Sequence, residues 1–197
     1  MQNTLIIIGS ILLVGASQLF IEKMGVSHYE KKERKELYDI AHEIFPDISN
    51  YEPIVNIIPV GLLASLFFIT KGGLIAKNGS LMFLVAMVLR AILASSTILP
   101  KAPHCKSELT LSSIFGGCYD KIFSGHMSLT TIFGLTMVKE HAISVGIFSA
   151  LVAMTAIALL LVRAHYTVDV LLGFLVSYFI VDGYYDHINA WLKKVTS

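Results

Sequence analysis

Along this chain, long apolar blocks alternate with short polar connections, rather than single apolar positions with single polar ones. Six blocks of about 17–22 residues stand out, near the roughly 20 that a helix needs to cross a bilayer core. They are Thr4–Phe20, Ile54–Thr70, Leu81–Leu99, Ile122–Val138, Ala142–Val162 and Val168–Ile188. In hydrocarbon every backbone polar group must be paired internally, so each block predicts a helix. The expected fold is all-α: a polytopic membrane protein built as one six-transmembrane-helix bundle over residues 1–197, with a core at about 45–188. Thr4–Phe20 could be read as a signal peptide. No Lys or Arg precedes it and it lacks a clean small-residue cleavage site, so a retained span is expected. Residues 22–43 hold Glu-Lys-Lys-Glu-Arg-Lys-Glu at Glu30–Glu36 and predict a solvated or interfacial helix supported by Glu/Lys pairs. Trp191, Lys193 and Lys194 follow the sixth block as an interfacial tail.

Composition supports this picture. Hydrophobic residues make up 55% and charged residues 15%, against about 25% charged in soluble domains. The net charge of +1 carries no basic field, so no nucleic-acid partner is expected. Two cysteines, Cys105 and Cys118, exclude a disulfide-rich scaffold.

Counting six spans sends the odd-numbered connections to one face. The Phe45-Pro46-Asp47 turn, the loop opened by Pro100 and Pro103, and the Arg163–Thr167 turn therefore meet. Two clusters there carry candidate chemistry. In Cys118-Tyr119-Asp120-Lys121-Ile122-Phe123-Ser124-Gly125-His126, Ser-Gly-His sits where the fourth helix begins. Unpaired N–H groups and the positive dipole end at a helix start suit a phosphate. Ser124 adds a hydroxyl donor, Gly125 lets an anion approach the backbone, and His126 can give or take a proton. Helix capping by Ser124 beside an incidental histidine is the alternative. In Arg163-Ala164-His165-Tyr166-Thr167-Val168-Asp169, His165 and Asp169 are four apart and share a helical face. The carboxylate can hold one ring nitrogen and leave the other as a nucleophile. A solvated His–Asp pair is the alternative, although an ionisable group leading into an apolar span is costly without a purpose.

Arg163 and Arg90 are candidate phosphate cations. Arg90 lies inside the third block and must face water or pair with an acid. Loop lysines such as Lys101, Lys106 and Lys121 are expected to be solvated. Asp120 with Tyr119, Phe123 and Tyr166 could surround a quaternary ammonium, or the tyrosines could be ordinary interface residues. Two histidines with carboxylates could also bind zinc, but there is no His-Glu-x-x-His, and Ser-Gly beside His126 favours an anion. No metal or cofactor is expected.

The two clusters resemble the signature blocks of sphingomyelin synthases and related ceramide phosphotransferases, in the lipid phosphate phosphatase superfamily. Arg90 followed by Ser96-Thr97-Ile98-Leu99-Pro100-Lys101-Ala102-Pro103 and Cys105 resembles the block those enzymes carry before the first histidine. Phe45-Pro46-Asp47 resembles their earlier Pro-Asp block. The resemblance implies a histidine-nucleophile phosphotransferase: His165 as nucleophile, Asp169 orienting it, His126 as acid and base. Ser124, Gly125, Arg163, Arg90, Asp120 and Tyr166 would bind substrate. The implied partners are membrane lipids, a phospholipid donor and ceramide or diacylglycerol; a homo-oligomer is compatible with the sequence. The phosphatases of the superfamily carry an Arg six residues before the second histidine, where this chain has Leu159, and an earlier Lys-x6-Arg-Pro block that it lacks. That departure favours a singly charged phosphodiester, and hence headgroup transfer over phosphatase or phosphodiesterase action. A non-enzymatic lipid-binding protein is the third reading.

Orientation draws conflicting signals. The site face carries more Lys and Arg than the opposite face, which by the positive-inside rule would make it cytosolic. The resemblance implies a lumenal or outer active site, of Golgi or plasma-membrane type in a eukaryote. Cys105 and Cys118 on that face could pair in an oxidising compartment. The outer face is the expectation.

Overall fold

A computed structural model describes residues 2–30, 37–101 and 117–196. Among them every regular element is helical: α1 (Gln2–Gly25), α2 (Ile40–Ile44), α3 (Ile57–Ser65), α4 (Gly72–Ser96), α5 (Gly125–Lys139), α6 (Val145–Leu161) and α7 (Thr167–Thr196). A π-helical turn, Val26–Glu30, extends α1, and a 3-10 helix, Ser49–Asn56, leads into α3. The charged residues 31–36 and most of the loop after Pro100, with Pro103, Cys105 and Lys106, lie outside the described residues.

Each apolar block contributes a helix, but the lengths differ from expectation. Among the described residues, three segments are long and apolar enough to cross a membrane: Leu5–Tyr29, Gly72–Ser96 and Thr167–Leu192. Pro53–Ser65 and Val145–Leu161 are apolar but shorter. The second block gives only nine residues of α-helix in α3, then turns through 66–71. Phe67, Phe68, Ile69 and Thr70 are weaker helix formers than the leucines and alanine before them. Gly72 then packs so tightly on the Leu66 carbonyl that no side chain would fit. The stretch at 22–43, expected as one solvated or interfacial helix, is divided where it is described, with residues 37–39 non-helical. Glu22 belongs to α1 and is 1% exposed, because it is folded against the loop at Tyr119. The helix after the charged stretch is the five-residue α2.

The pattern of burial is inverted relative to a soluble protein. Leu5, Leu12, Ile44, Phe67 and Phe68 are exposed, whereas Gln18, Asn78, Ser128, Thr130, Thr131, Thr136 and Ser177 are buried. Small hydroxyl residues let helices pack closely and hydrogen-bond across interfaces in lipid. α5 is the central helix: it packs on α3, α4, α6 and α7, and Thr130 Oγ1 lies 3.3 Å from Thr155 Oγ1 of α6. Gly79 of α4 accommodates the Phe133 ring, and Gly134 of α5 the Phe148 ring.

Six helices bring one end each to the same end of the bundle. Glu22 near the end of α1 accepts from Tyr119 N (3.3 Å). Arg90 near the end of α4 donates to Phe123 O (2.6 Å), and Leu161 O at the end of α6 accepts from Ile48 N (3.0 Å). Ser124 N before α5 donates to Asp169 O in the first turn of α7 (3.0 Å). Asn56 before α3 meets His126 in the first turn of α5. At the opposite end, Lys71 pairs with Glu140 (2.9 Å), and Tyr185 donates to the same carboxylate.

Candidate active site

Ser124 has extended backbone and caps α5, its Oγ accepting from Met127 N (3.3 Å). Gly125 and His126 form the first turn of α5. His126 Nε2 lies 2.9 Å from Asn56 Oδ1, which fixes the plane of the ring. The Ser-Gly-His segment is locked to α7 by Gly173: a Cβ there would meet Ser124 O at 2.8 Å and Met127 Cβ at 3.2 Å.

His165 lies in the turn between α6 and α7, and Asp169 in the first turn of α7. The i,i+4 spacing puts His165 Nδ1 3.7 Å from Asp169 Oδ2, an ion-pair distance rather than a hydrogen bond. The same carboxylate oxygen accepts from Tyr166 N (3.1 Å), so Asp169 holds the turn as well as facing the ring. Both residues are buried, at 8% and 0% exposure. Burial holds the His165 pKa well below its ordinary value, and the positive charges of Lys121, Arg90 and His126 push it the same way. A neutral imidazole with Nδ1 towards a carboxylate presents Nε2 as a nucleophile. The Ser124 N–Asp169 O bond (3.0 Å) joins the segment that carries His126 to the one that carries His165.

Arg90 resolves the question of a cation inside an apolar helix. Its guanidinium pairs with Asp120 (Nη1 to Oδ2, 2.5 Å) and donates to the carbonyls of Phe123 (2.6 Å) and Asp120 (3.0 Å). Asp120 is thus engaged with Arg90, and Arg90 braces the loop that delivers Ser124. Arg163 sits at φ 54°, a left-handed conformation unusual outside glycine. Its Nε is 3.1 Å from Asp47 Oδ2, and its Nη2 donates to His42 O (2.9 Å). Its contacts therefore tie the Pro46-Asp47 segment to the His165 turn. Tyr166 is buried, tilted against the His42 ring at 5.6 Å, with its hydroxyl 3.4 Å from Pro100 O.

Three contributors were missed from sequence. Lys121, expected to be solvated, is 6% exposed and donates to Ala164 O (2.8 Å), beside His165. Its flanking Ile122 and Phe123, just ahead of a helix cap, were the available sign. Asp39 caps α2 through Ala41 N (3.1 Å) and His42 N (3.2 Å). It also accepts from Thr167 N (2.7 Å) and Oγ1 (2.8 Å) at the start of α7. Burial pushes the Asp39 pKa up, but the bonds from Thr167 and His42 outweigh it and hold the carboxyl below its ordinary value. An aspartate opening Ile40-Ala41-His42 was readable as a helix cap; its second attachment was not. Asn56 had no local signal. Among the described residues no three His, Cys, Asp or Glu side chains are grouped as metal ligands. Cys118 is disulfide-bonded; the other cysteine of the chain, Cys105, lies outside the described residues.

No curated protein matches the chain. Residues 117–188, which hold both histidines and Asp169, match the family described as PAP2 superfamily C-terminal. That match supports the lipid phosphate phosphatase superfamily and points to lipid phosphatase or phosphotransferase chemistry, and together with the apolar helices it is consistent with an integral membrane protein.

Proposed function

We propose that this protein is a six-span membrane enzyme that transfers a phospho-headgroup, phosphocholine or similar, from a glycerophospholipid to ceramide or another lipid alcohol. The carrying observation is that buried His165 lies beside Asp169, and that the segment bearing Ser124, Gly125 and His126 is joined to Asp169 through the Ser124 N–Asp169 O hydrogen bond (3.0 Å). In the proposed reaction His165 Nε2 attacks the phosphorus and the bond to the diacylglycerol oxygen breaks. His126 gives that oxygen its proton. The phosphorylated ring carries a positive charge, which the Asp169 carboxylate stabilises. His126, now a base, takes the proton of the acceptor hydroxyl as that oxygen attacks phosphorus. The P–N bond breaks and His165 is restored.

Water in place of the lipid alcohol would make the protein a phosphodiesterase or phosphatase. Transfer is favoured because Leu159, where the phosphatases have an arginine, is fully buried in a cluster with Val55, Met127, Val162 and Val170. Six crossings are favoured by the convergence of six helix ends on one site, with α3 and α6 as short spans. A lumenal or outer position for the site is favoured by the bonded Cys118.

The test is purified protein in vesicles of phosphatidylcholine with fluorescent ceramide. Fluorescent ceramide carrying phosphocholine, a product that vanishes in His165→Ala, is expected. Release of free headgroup or phosphate alone would replace transfer with hydrolysis. An unchanged His165→Ala would remove the histidine mechanism.

A further inference from the structure

We propose that the groove between α1, α4 and α7 binds one hydrocarbon chain of a membrane lipid whose headgroup lies in the leaflet opposite the candidate active site. This needs the three helices to lie in lipid; it does not need the proposed reaction. They are the same three that, among the described residues, are long and apolar enough to cross a membrane. The groove has a volume of about 440 Å³, and its walls include Ile6 and Ser10 of α1, Leu81, Val85 and Leu89 of α4, and Trp191 of α7. Ser10 brings the single hydroxyl of the lining and Trp191 the single indole N–H, and no ionisable side chain lines it. A phosphate or a charged headgroup therefore has no side chain to pair with inside. Ile6 (61%), Val85 (46%) and Leu89 (40%) remain exposed, so the outer side of the groove opens to the surroundings. Size decides between occupants. From Leu81 to Leu89 the groove runs about 12 Å along α4. A helix about 10–12 Å across, from a second copy or another protein, would fill roughly 900–1,400 Å³ over that length, at least twice the space. A single unbranched chain enters it. Burial does not drive α1 to close onto α4 instead, because lipid tails are as apolar as the leucines. A flexible chain restores the dispersion contacts that an empty groove forfeits. Trp191 sets the direction. It stands beyond Asp169 on the same helix by about 33 Å, more than the roughly 30 Å of a hydrocarbon core. Its ring is thus at the interface opposite the site, where an indole meets headgroups. Leu89, in turn, adjoins Arg90, which pairs with Asp120, and α1 reaches Tyr119 N through Glu22. The chain wedges between the two helices that brace the loop ahead of Ser124.

Trp191 is the one tryptophan of the chain, so its fluorescence reads the groove directly. Delipidated wild-type protein in maltoside micelles is titrated with phosphatidylcholine whose chains carry bromine near the carboxyl end, and separately near the methyl end. Saturable quenching at one lipid per chain is expected, stronger for bromine near the carboxyl end. Quenching that rises without saturating would reduce the contact to bulk lipid around the helices and overturn the site. Stronger quenching by bromine near the methyl end would overturn the assigned leaflet. A dimer in which no brominated lipid reaches Trp191 would give the groove to a second copy and overturn the proposal. Ser10→Phe fills the groove from α1 and is expected to weaken the apparent affinity about tenfold. A folded Ser10→Phe that saturates as the wild type does would overturn the location.

Discussion

Arg90→Met tests the brace beneath the site. The substitution keeps the aliphatic stem and removes the guanidinium. Asp120, 3% exposed, is left without the cation 2.5 Å away, and the carbonyls of Phe123 and Asp120 lose donors at 2.6 and 3.0 Å. Each such bond to a charged group is worth about 1.5–3 kcal/mol. They are not additive, because all three share one guanidinium. Removing one member of a buried pair costs about 3–5 kcal/mol, mostly through the charge left behind. In a chain of this length, 1 kcal/mol moves the melting temperature by about 2–4 °C, so Arg90→Met should melt about 6–20 °C lower. The double variant Arg90→Met/Asp120→Asn removes the stranded charge and should recover a large part of that loss. Thermal unfolding in one detergent, followed by near-UV circular dichroism, reads both. A single variant within about 2 °C of wild type, or a double variant no better than the single, would refute the reasoning that the pair is buried and mutually dependent.

Asp39→Ala should lower stability by about 1–3 kcal/mol, since one carboxylate caps α2 and holds Thr167; it should also lower turnover by loosening the His165 turn, and chemical denaturation with activity measured in parallel checks both. Gly173→Ala should separate the starts of α5 and α7, because a Cβ there meets Ser124 O at 2.8 Å; the expected sign is a fall in both melting temperature and kcat, and an unchanged protein would show that the contact yields. Stability should fall as pH drops below about 6.5, the ordinary histidine value. With the folded His165 pKa depressed by burial, then Lys121, Arg90 and His126, the unfolded chain binds the proton first. His165→Asn should flatten the fall between pH 6.5 and 5 in melting curves, and an identical pH dependence in both proteins would contradict the assignment.

What could be read from sequence was whatever depended on neighbours a few residues away. The His165–Asp169 pairing follows from four-residue spacing, and the Ser124 cap from its place before an apolar block. That Arg90 must pair or meet water followed from its apolar surroundings, and it pairs. Its partner, Asp120, lies 30 residues further on, and no local pattern indicates which acid that is. Asp39 and Thr167 are 128 residues apart, and Lys121 and Ala164 are 43 apart. Such contacts are set by how the helices stack, so a lysine that hydropathy assigns to solvent ends up inside. The short α3 had a different cause. An apolar run records what lipid or protein will cover, not whether the backbone stays helical, and the Phe67–Thr70 turn is as apolar as the helix before it.

Glu22 has a consequence for the order of synthesis. Its carboxylate is satisfied in part by the amide of Tyr119, 97 residues later in the chain. At about 5–20 residues per second, α1 must wait roughly 5–20 s for that partner to emerge. During that interval the first helix ends in a carboxylate that has not yet met the loop. A chain halted before residue 117 would leave Glu22 without that amide.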